Sequence, residues 1–171
     1  AEGVAPSQIL AFTFTVEAAE GLKARVLRKV RERLPDLPLD RLSPMFIGTI
    51  HAWCQRFLTE QVPRYATYDL FTDHRLVGLL TREYERVGLQ HLGIDARTDA
   101  VRRFLDTASV VENEMLGADD LPPGPFRSAY VRYRQMLDRY RVLTFNQSIA
   151  RTVEELRRPE VFAAFHPRLA H

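Results

Sequence analysis

Two short segments of the chain carry hydroxyl, aromatic and imidazole side chains where an apolar run breaks into a helix-forming stretch. The first segment, residues 9–19, reads ILAFTFTVEAA, and the second, residues 45–58, reads MFIGTIHAWCQRFL. The side chains concerned are Thr13, Phe14, Thr15, Thr49 and His51. Hydroxyls and backbone N–H groups bind phosphate oxygens, and an aromatic face stacks on a base, so these side chains have the chemistry to contact a single-stranded nucleic acid.

Each of these side chains also has a purely structural interpretation. Phe14 could belong to a hydrophobic core, with Thr15 only starting a helix. Thr49 could be a helix cap, and His51 a histidine satisfied by its neighbours. No catalytic arrangement accompanies them, because the sequence has no G-x-S-x-G, no H-E-x-x-H and no paired carboxylates in an apolar setting. His51 and Cys54 lie one helical turn apart, but two ligands do not make a metal site, and Cys54 is expected to be a buried thiol.

Strands and helices in the first third of the chain are expected to position these side chains. Residues 8–14 and 46–50 are apolar and rich in β-branched or aromatic residues, which predicts two buried strands. Residues 17–34 and 52–60 follow as predicted helices, and the first of these has an apolar face at helical spacing. Open α/β sheets bind ligands at the carboxyl ends of their parallel strands, which is where the candidate side chains fall.

The rest of the chain predicts helices, with no further strand after Phe71. The predicted helices cover residues 73–87, 97–116, 126–143 and 145–156. Asp73 is expected to cap the first of these helices. Thr144 is expected to cap the last, with Gln147 reaching back to complete a capping box. An acidic, proline-rich turn at residues 118–125 is the best candidate for an internal linker.

The predicted helix at residues 126–143 interleaves basic and aromatic side chains. Arg127, Arg134 and Arg141 recur at a heptad spacing along it, and tyrosines line another face. Such interleaving suits nucleic-acid binding, but a solvated stripe opposite a core stripe has the same pattern. We favour the solvated stripe for this helix.

Bulk composition limits the class of protein. The 171 residues are 46% hydrophobic and 27% charged, a composition that is typical of one folded domain or slightly more and argues against disorder. The net charge is +2 and the pI about 8.9, a weak preference for a polyanionic partner. The single cysteine excludes an intrachain disulfide and fits a reducing, cytoplasmic location. No apolar stretch approaches the length of a membrane helix, so no membrane partner is expected.

The two segments with the candidate side chains resemble a known family. Residues 9–25, ILAFTFTVEAAEGLKAR, resemble the pattern ILaxTFTNKAAxEMxxR of UvrD/Rep-type superfamily 1 DNA helicases. Residues 47–58, IGTIHAWCQRFL, resemble the family's next motif, xGTxHxxxxxxL. Weaker similarities follow in the family's order at residues 130–145 and 165–171. Val16-Glu17 stands where the family has Asn-Lys, which replaces a positive charge with a negative one.

The resemblance implies a fold that is mainly α with a small α/β part. Two short parallel strands would belong to a RecA-like (P-loop NTPase) motor domain, and the central helices to a helical insertion domain. The implied boundaries are 1–66 for part of the motor domain, 67–142 for the insertion and 143–171 for the return to the motor domain. An isolated two-stranded sheet is marginal, so self-association of the chain is also expected.

The resemblance implies that the parent protein is an ATP-dependent 3′→5′ DNA helicase or translocase. This chain would be an internal fragment, lying between the family's two ATPase motifs, Walker A and Walker B, and supplying Thr13, Phe14, Thr15, Thr49 and His51 as contacts to single-stranded DNA. ATP and Mg²⁺ are cofactors of the parent, and neither is expected on this chain, which contains no G-x-x-x-x-G-K-[ST]. The alternatives are a non-catalytic helical module that binds nucleic acid or protein, and part of a helicase–nuclease subunit. The pathway, the duplex preference and the partner proteins do not follow from the sequence.

Overall fold

The computed structural model describes residues 4–166 of the chain, and these form two compact units. Unit 1 contains the described residues up to Val62 together with those from Thr152 onward, and unit 2 contains Pro63–Arg151. The predicted assignment of chain segments to a motor domain and an insertion domain stays a prediction. Of the predicted closing segment, residues 167–171 lie outside the described residues.

Unit 1 is built from two strand–turn–helix segments. Strand β1, Leu10–Thr13, leads into helix α1, Val16–Arg33, and strand β2, Phe46–Thr49, leads directly into helix α2, Ile50–Gln61. The two strands pair in parallel, and Leu10 lies opposite Phe46. The predicted pair of short parallel strands, each followed by a helix, is therefore confirmed. The predicted self-association through their edges stays a prediction.

Aromatic side chains hold β1, β2 and α2 together. The rings of Phe12 and Phe46 lie 6.1 Å apart, and Trp53 of α2 meets Phe12 edge-on at 5.7 Å and stacks on Phe57 at 5.3 Å. Gly48 makes room for this cluster, since a Cβ atom at that position would lie 2.7 Å from Cζ of Phe46. Because Gly48 has no side chain, the Phe46 ring can lie over the backbone of β2 at that position.

Unit 2 is mainly helical, with its own hydrophobic core. Its helices are α3, Asp73–Arg82; α4, Tyr84–Val87; α5, Arg97–Asn113; and α6, Pro125–Tyr140. The largest fully buried side chains of its core include Leu80, Val87, Leu89, Val101, Phe104, Tyr130, Tyr133 and Leu137. None of the described helices of the chain is long and apolar enough to cross a membrane.

Two further strands in unit 2 correct the prediction of helices alone. Strand β3, Asp69–Phe71, pairs in parallel with strand β4, Val142–Thr144, which the sequence pattern assigned partly to a helix. Each strand has only three residues, too few for an alternating pattern to be recognised. The helix α6 ends early because Arg141 adopts a left-handed conformation with φ of 52°, a position that glycine usually occupies.

Helix α7, Phe145–Leu156, begins directly after β4. The predicted cap is confirmed, since the Thr144 hydroxyl accepts a hydrogen bond from the Gln147 N–H at 3.2 Å. The second half of the predicted capping box is wrong. The Gln147 side chain instead donates from Nε2 to Oε1 of Glu112 on α5, at 2.8 Å, because a buried carboxylate is the stronger acceptor.

Removing the Thr144 hydroxyl is expected to destabilise the chain. Thr144→Ala leaves the first turn of α7 without its acceptor in a buried position, which costs about 1–2 kcal/mol of unfolding free energy. Thr144→Ser keeps the acceptor and serves as the matched control. Urea unfolding followed by circular dichroism measures both, and equal stability of the alanine and serine variants would contradict the cap.

The predicted helix over residues 73–87 is interrupted at Glu83. Thr72, not Asp73, is the residue that precedes α3, and neither supplies a side-chain cap, so Asp73 acts only as an acidic residue in the first turn. Glu83 is 5% exposed and accepts hydrogen bonds from the Tyr140 hydroxyl at 2.8 Å and from Arg86 at 3.2 Å. The Tyr140 hydrogen bond, followed by that of Arg86, lowers the pKa of the Glu83 carboxyl against the opposing effect of burial.

The Glu83 carboxylate is expected to make stability depend on pH. Its pKa is lower in the folded chain, so its contribution is present above its ordinary pKa of 4.5 and is lost as the pH falls through the folded value. Tyr140→Phe therefore costs about 1 kcal/mol at neutral pH and progressively less in acid. Unfolding titrations of the wild type, of Tyr140→Phe and of the double variant with Glu83→Gln measure this coupling. A cost that stays constant from neutral pH to strong acid would contradict it.

Candidate nucleic-acid interface

The carboxyl ends of β1 and β2 meet at one edge of unit 1. The last residues of the two strands, Thr13 and Thr49, lie directly opposite each other in the parallel register. Phe14 and Thr15 form the turn between β1 and α1, and His51 is the second residue of α2. The structure thus brings all five predicted residues to the same edge, although 36 positions separate Thr13 from Thr49 in the chain.

Two threonine hydroxyls cap the helices that begin at this edge. The Thr15 hydroxyl accepts a hydrogen bond from the Ala18 N–H at 3.1 Å, and the Thr49 hydroxyl accepts one from the Ala52 N–H at 3.2 Å. Capping uses a lone pair of each oxygen and leaves its O–H hydrogen able to donate to a phosphate. The capping interpretation of Thr49 and the phosphate interpretation are therefore compatible, because they use different parts of the hydroxyl.

The turn after β1 presents Phe14 to solvent. Its side chain is 96% exposed, so its placement in a hydrophobic core is wrong. The Thr13 hydroxyl donates a hydrogen bond to the Thr15 carbonyl oxygen at 2.9 Å and so links the two residues on either side of Phe14. A ring this exposed loses nothing by contact with a base, and stacking would bury apolar surface that is now in water.

His51 and Cys54 differ in what they can do. Burial lowers the pKa of the His51 imidazole, which favours the neutral ring, a hydrogen-bond donor and acceptor rather than a cation. Cys54 is buried as predicted, and burial raises the pKa of its thiol, so it is a poor nucleophile. No group of three or more histidine, cysteine, aspartate or glutamate side chains that could hold a metal ion occurs among the described residues.

Backbone dipoles give the edge its positive character. Helices α1 and α2 both direct their amino ends there, and the first N–H groups of a helix have no partner within the helix. Glu17 in the first turn of α1 works against this effect for an anion. Val16 and Ile50, the first residues of α1 and α2, are exposed apolar side chains at the same edge as Phe14. They were not among the predicted contact residues, although each directly follows a capping threonine in the sequence.

The three arginines at heptad spacing along and just after α6 have partners within unit 2. Arg127 forms an ion pair with Asp119 at 2.7 Å, and Arg141 donates to the Thr67 hydroxyl at 3.1 Å. Arg134 hydrogen-bonds Tyr130. The Asp119 contact also ties the predicted linker at residues 118–125 into unit 2, so this turn does not separate the two units. These pairings favour the structural interpretation of the helix over a nucleic-acid surface.

The sequence is similar to that of DNA helicases over its whole length. UvrD1 of Mycobacterium tuberculosis (strain ATCC 25618 / H37Rv), described as an ATP-dependent DNA helicase, is 27% identical over 190 residues, which cover 100% of this chain and 22% of that protein. UvrD1 of Mycobacterium leprae (strain TN) is 27% identical with the same coverage. The ATP-dependent DNA helicase PcrA of Staphylococcus aureus (strain Mu50 / ATCC 700699) is 25% identical over 98% of this chain and 23% of its own.

The chain spans less than a quarter of the length of these relatives. A defined protein family also matches the chain over its whole length. The family described as the UvrD/REP helicase N-terminal domain matches residues 1–171, all of the sequence. With the TFT and GT.H segments at one edge of a parallel strand pair, this match shows that the chain belongs to the UvrD/REP helicase family.

Proposed function

We propose that the protein to which this chain belongs is an ATP-dependent DNA helicase that moves 3′→5′ along single-stranded DNA. The chain contributes part of the DNA contact, at the edge formed by the carboxyl ends of β1 and β2. The observation that carries this proposal is the convergence of Thr13, Phe14, Thr15, Thr49 and His51 on that edge, with the Phe14 ring in solvent. Membership of the helicase family supports the ATP-dependent activity.

The edge supplies two kinds of contact to a DNA strand. The amino ends of α1 and α2, with the hydroxyls of Thr15 and Thr49, donate hydrogen bonds to phosphate oxygens. The Phe14 ring stacks on a base, and because every base has an aromatic face this contact does not select a sequence. A motor that travels along DNA needs contacts of this kind, which are independent of base identity and can be broken and remade at each step.

ATP and Mg²⁺ do not fit the residues of this chain. A phosphate-binding loop of the form G-x-x-x-x-G-K-[ST] does not occur in the sequence, and the described residues hold no carboxylate cluster for a metal ion. We therefore assign nucleotide binding to other parts of the full protein. We also propose that unit 2 is the helical insertion of the motor domain, on the grounds that it interrupts unit 1 and has its own core.

Unwinding substrates with opposite tails test the proposed function. In the full-length protein with ATP and Mg²⁺, we expect strand separation of a short duplex that carries a single-stranded 3′ tail, and none with a 5′ tail of the same length and sequence. A non-hydrolysable ATP analogue is the control and should abolish separation. Unwinding from the 5′ tail alone would overturn the polarity, and ATP-independent binding without unwinding would favour a non-catalytic module.

A further inference from the structure

A groove runs between α3 and α5 in unit 2 and ends at the start of α7. Its cavity volume of about 550 Å³ lies within the range of sites that accept a ligand or a side chain of a partner. Its apolar lining consists of Leu76, Val77, Val101, Leu105, Tyr133 and Phe145. Leu76, Val101 and Tyr133 are buried, whereas Val77 is 41% exposed, so the groove has an apolar floor and an apolar lip open to solvent.

Among the polar residues that line the groove, the charged ones are mainly acidic. Asp73, Asp106 and Glu112 line it, and Arg102 is its one arginine or lysine. Within the described part of the chain, neither Asp73 nor Asp106 forms an ion pair, and both side chains are exposed. Phosphate groups would be repelled here, since the excess charge is negative. The charge of the groove therefore complements a basic protein segment and opposes a nucleic acid.

A buried amide, that of Gln147, lies next to Glu112 behind the lining of the groove. Gln147 is 2% exposed, and its Nε2 donates to Oε1 of Glu112, a lining residue of the groove. Among the described residues, Oε1 of Gln147 has no hydrogen-bond partner. The Glu112 carboxylate, 6% exposed, places a negative charge at this end of the groove, which favours a cationic group.

We propose that this groove binds a basic amphipathic helix of a partner protein. An apolar side chain of that helix lies on the floor formed by Leu76 and Val101, and an arginine or lysine at helical spacing reaches the acidic end near Asp106 and Glu112. Helix-in-groove recognition has these two components, apolar anchors and a charged rim. The proposal is independent of the DNA contact proposed for unit 1, because every lining residue belongs to unit 2.

Titration with a synthetic helix tests the proposal. The probe is a labelled peptide longer than about 15 residues, so that it is helical, with leucine on one face and arginine on the other. We expect saturable binding to the 171-residue chain by fluorescence anisotropy. Asp106→Asn should weaken binding about threefold to fivefold. Val77→Ser should weaken it by about fivefold. Both side chains are exposed, so both variants should keep the wild-type circular dichroism.

Matched controls make the outcome decisive. Asp99→Asn changes the same charge on the same helix outside the groove, and should alter affinity by less than about twofold. A peptide with glutamate in place of arginine should not bind. Equal effects of the Asp99 and Asp106 variants, or binding of the acidic peptide, would overturn the proposal. Amide shifts at Val77 and Asp106 on adding a single-stranded oligonucleotide alone would identify nucleic acid as the occupant and overturn it as well.

Discussion

Replacing Phe14 with alanine in the full-length protein is expected to weaken its binding to single-stranded DNA by about tenfold or more. Stacking of one base on an aromatic ring contributes about 1–3 kcal/mol, and Phe14 is exposed and placed to provide it. The salt dependence of binding should hardly change, because its slope of about −0.7 per neutralised phosphate on single strands reports ionic contacts that the ring does not make. Thermal stability should also be unchanged, since a side chain 96% in water contributes almost nothing to the core.

Affinity, salt slope and melting temperature therefore need to be measured on the same Phe14→Ala protein. Phe162→Ala is the matched control, because Phe162 is another exposed phenylalanine of unit 1 and lies on helix α8, Pro159–Phe165, rather than at the strand edge. The control should bind DNA as the wild type does. Unchanged affinity of Phe14→Ala would remove this residue from the DNA contact, and an equal loss in the control would show a general effect of surface apolarity.

Replacing Phe104 with alanine is expected to have the largest effect on stability. The Phe104 ring is 1% exposed and packs against Phe126 at 5.5 Å and edge-on against Tyr133 at 5.3 Å. Truncation of a buried phenylalanine removes apolar contact and leaves a cavity, at a cost of about 3–5 kcal/mol. Because marginally stable domains have little more than this in reserve, unit 2 should be largely unfolded in the variant at elevated temperature.

Urea unfolding monitored by circular dichroism measures the effect of Phe104→Ala. Val110→Ala on the same helix is the control, since Val110 is 59% exposed and its truncation should change the unfolding free energy by less than about 0.5 kcal/mol. A loss below about 1 kcal/mol for the Phe104 variant would mean that α5 and α6 do not share a close-packed core.

The sequence by itself determined those parts of the fold whose signals are local. Apolar runs that break at a threonine and continue as helix-forming stretches predict β1 with α1 and β2 with α2, and the structure confirms both. Threonine caps are recognisable for the same reason, because the capping hydroxyl and the backbone N–H that donates to it lie three residues apart. The order of the TFT and GT.H segments was also sufficient to indicate the family, which the full-length match shows.

The tertiary structure decided whatever depends on partners distant in the chain. The strands β3 and β4 are defined by their pairing with each other. Arg141 ends α6 in a left-handed conformation that its residue type does not predict. Glu83 interrupts a predicted helix while its carboxylate accepts from Tyr140, and Gln147 turns away from its own cap toward Glu112. Such long-range hydrogen bonds leave no periodic trace in a sequence.

The candidate DNA contact required both kinds of information. Residue types alone identified Thr13, Phe14, Thr15, Thr49 and His51 as capable of binding a strand, and left open whether Phe14 was core. The parallel register of β1 and β2 brings Thr13 beside Thr49, and only the packed structure leaves the Phe14 ring in water. Side-chain chemistry is a property of each residue, whereas proximity and exposure arise from the pairing of strands and from which surfaces the core can bury.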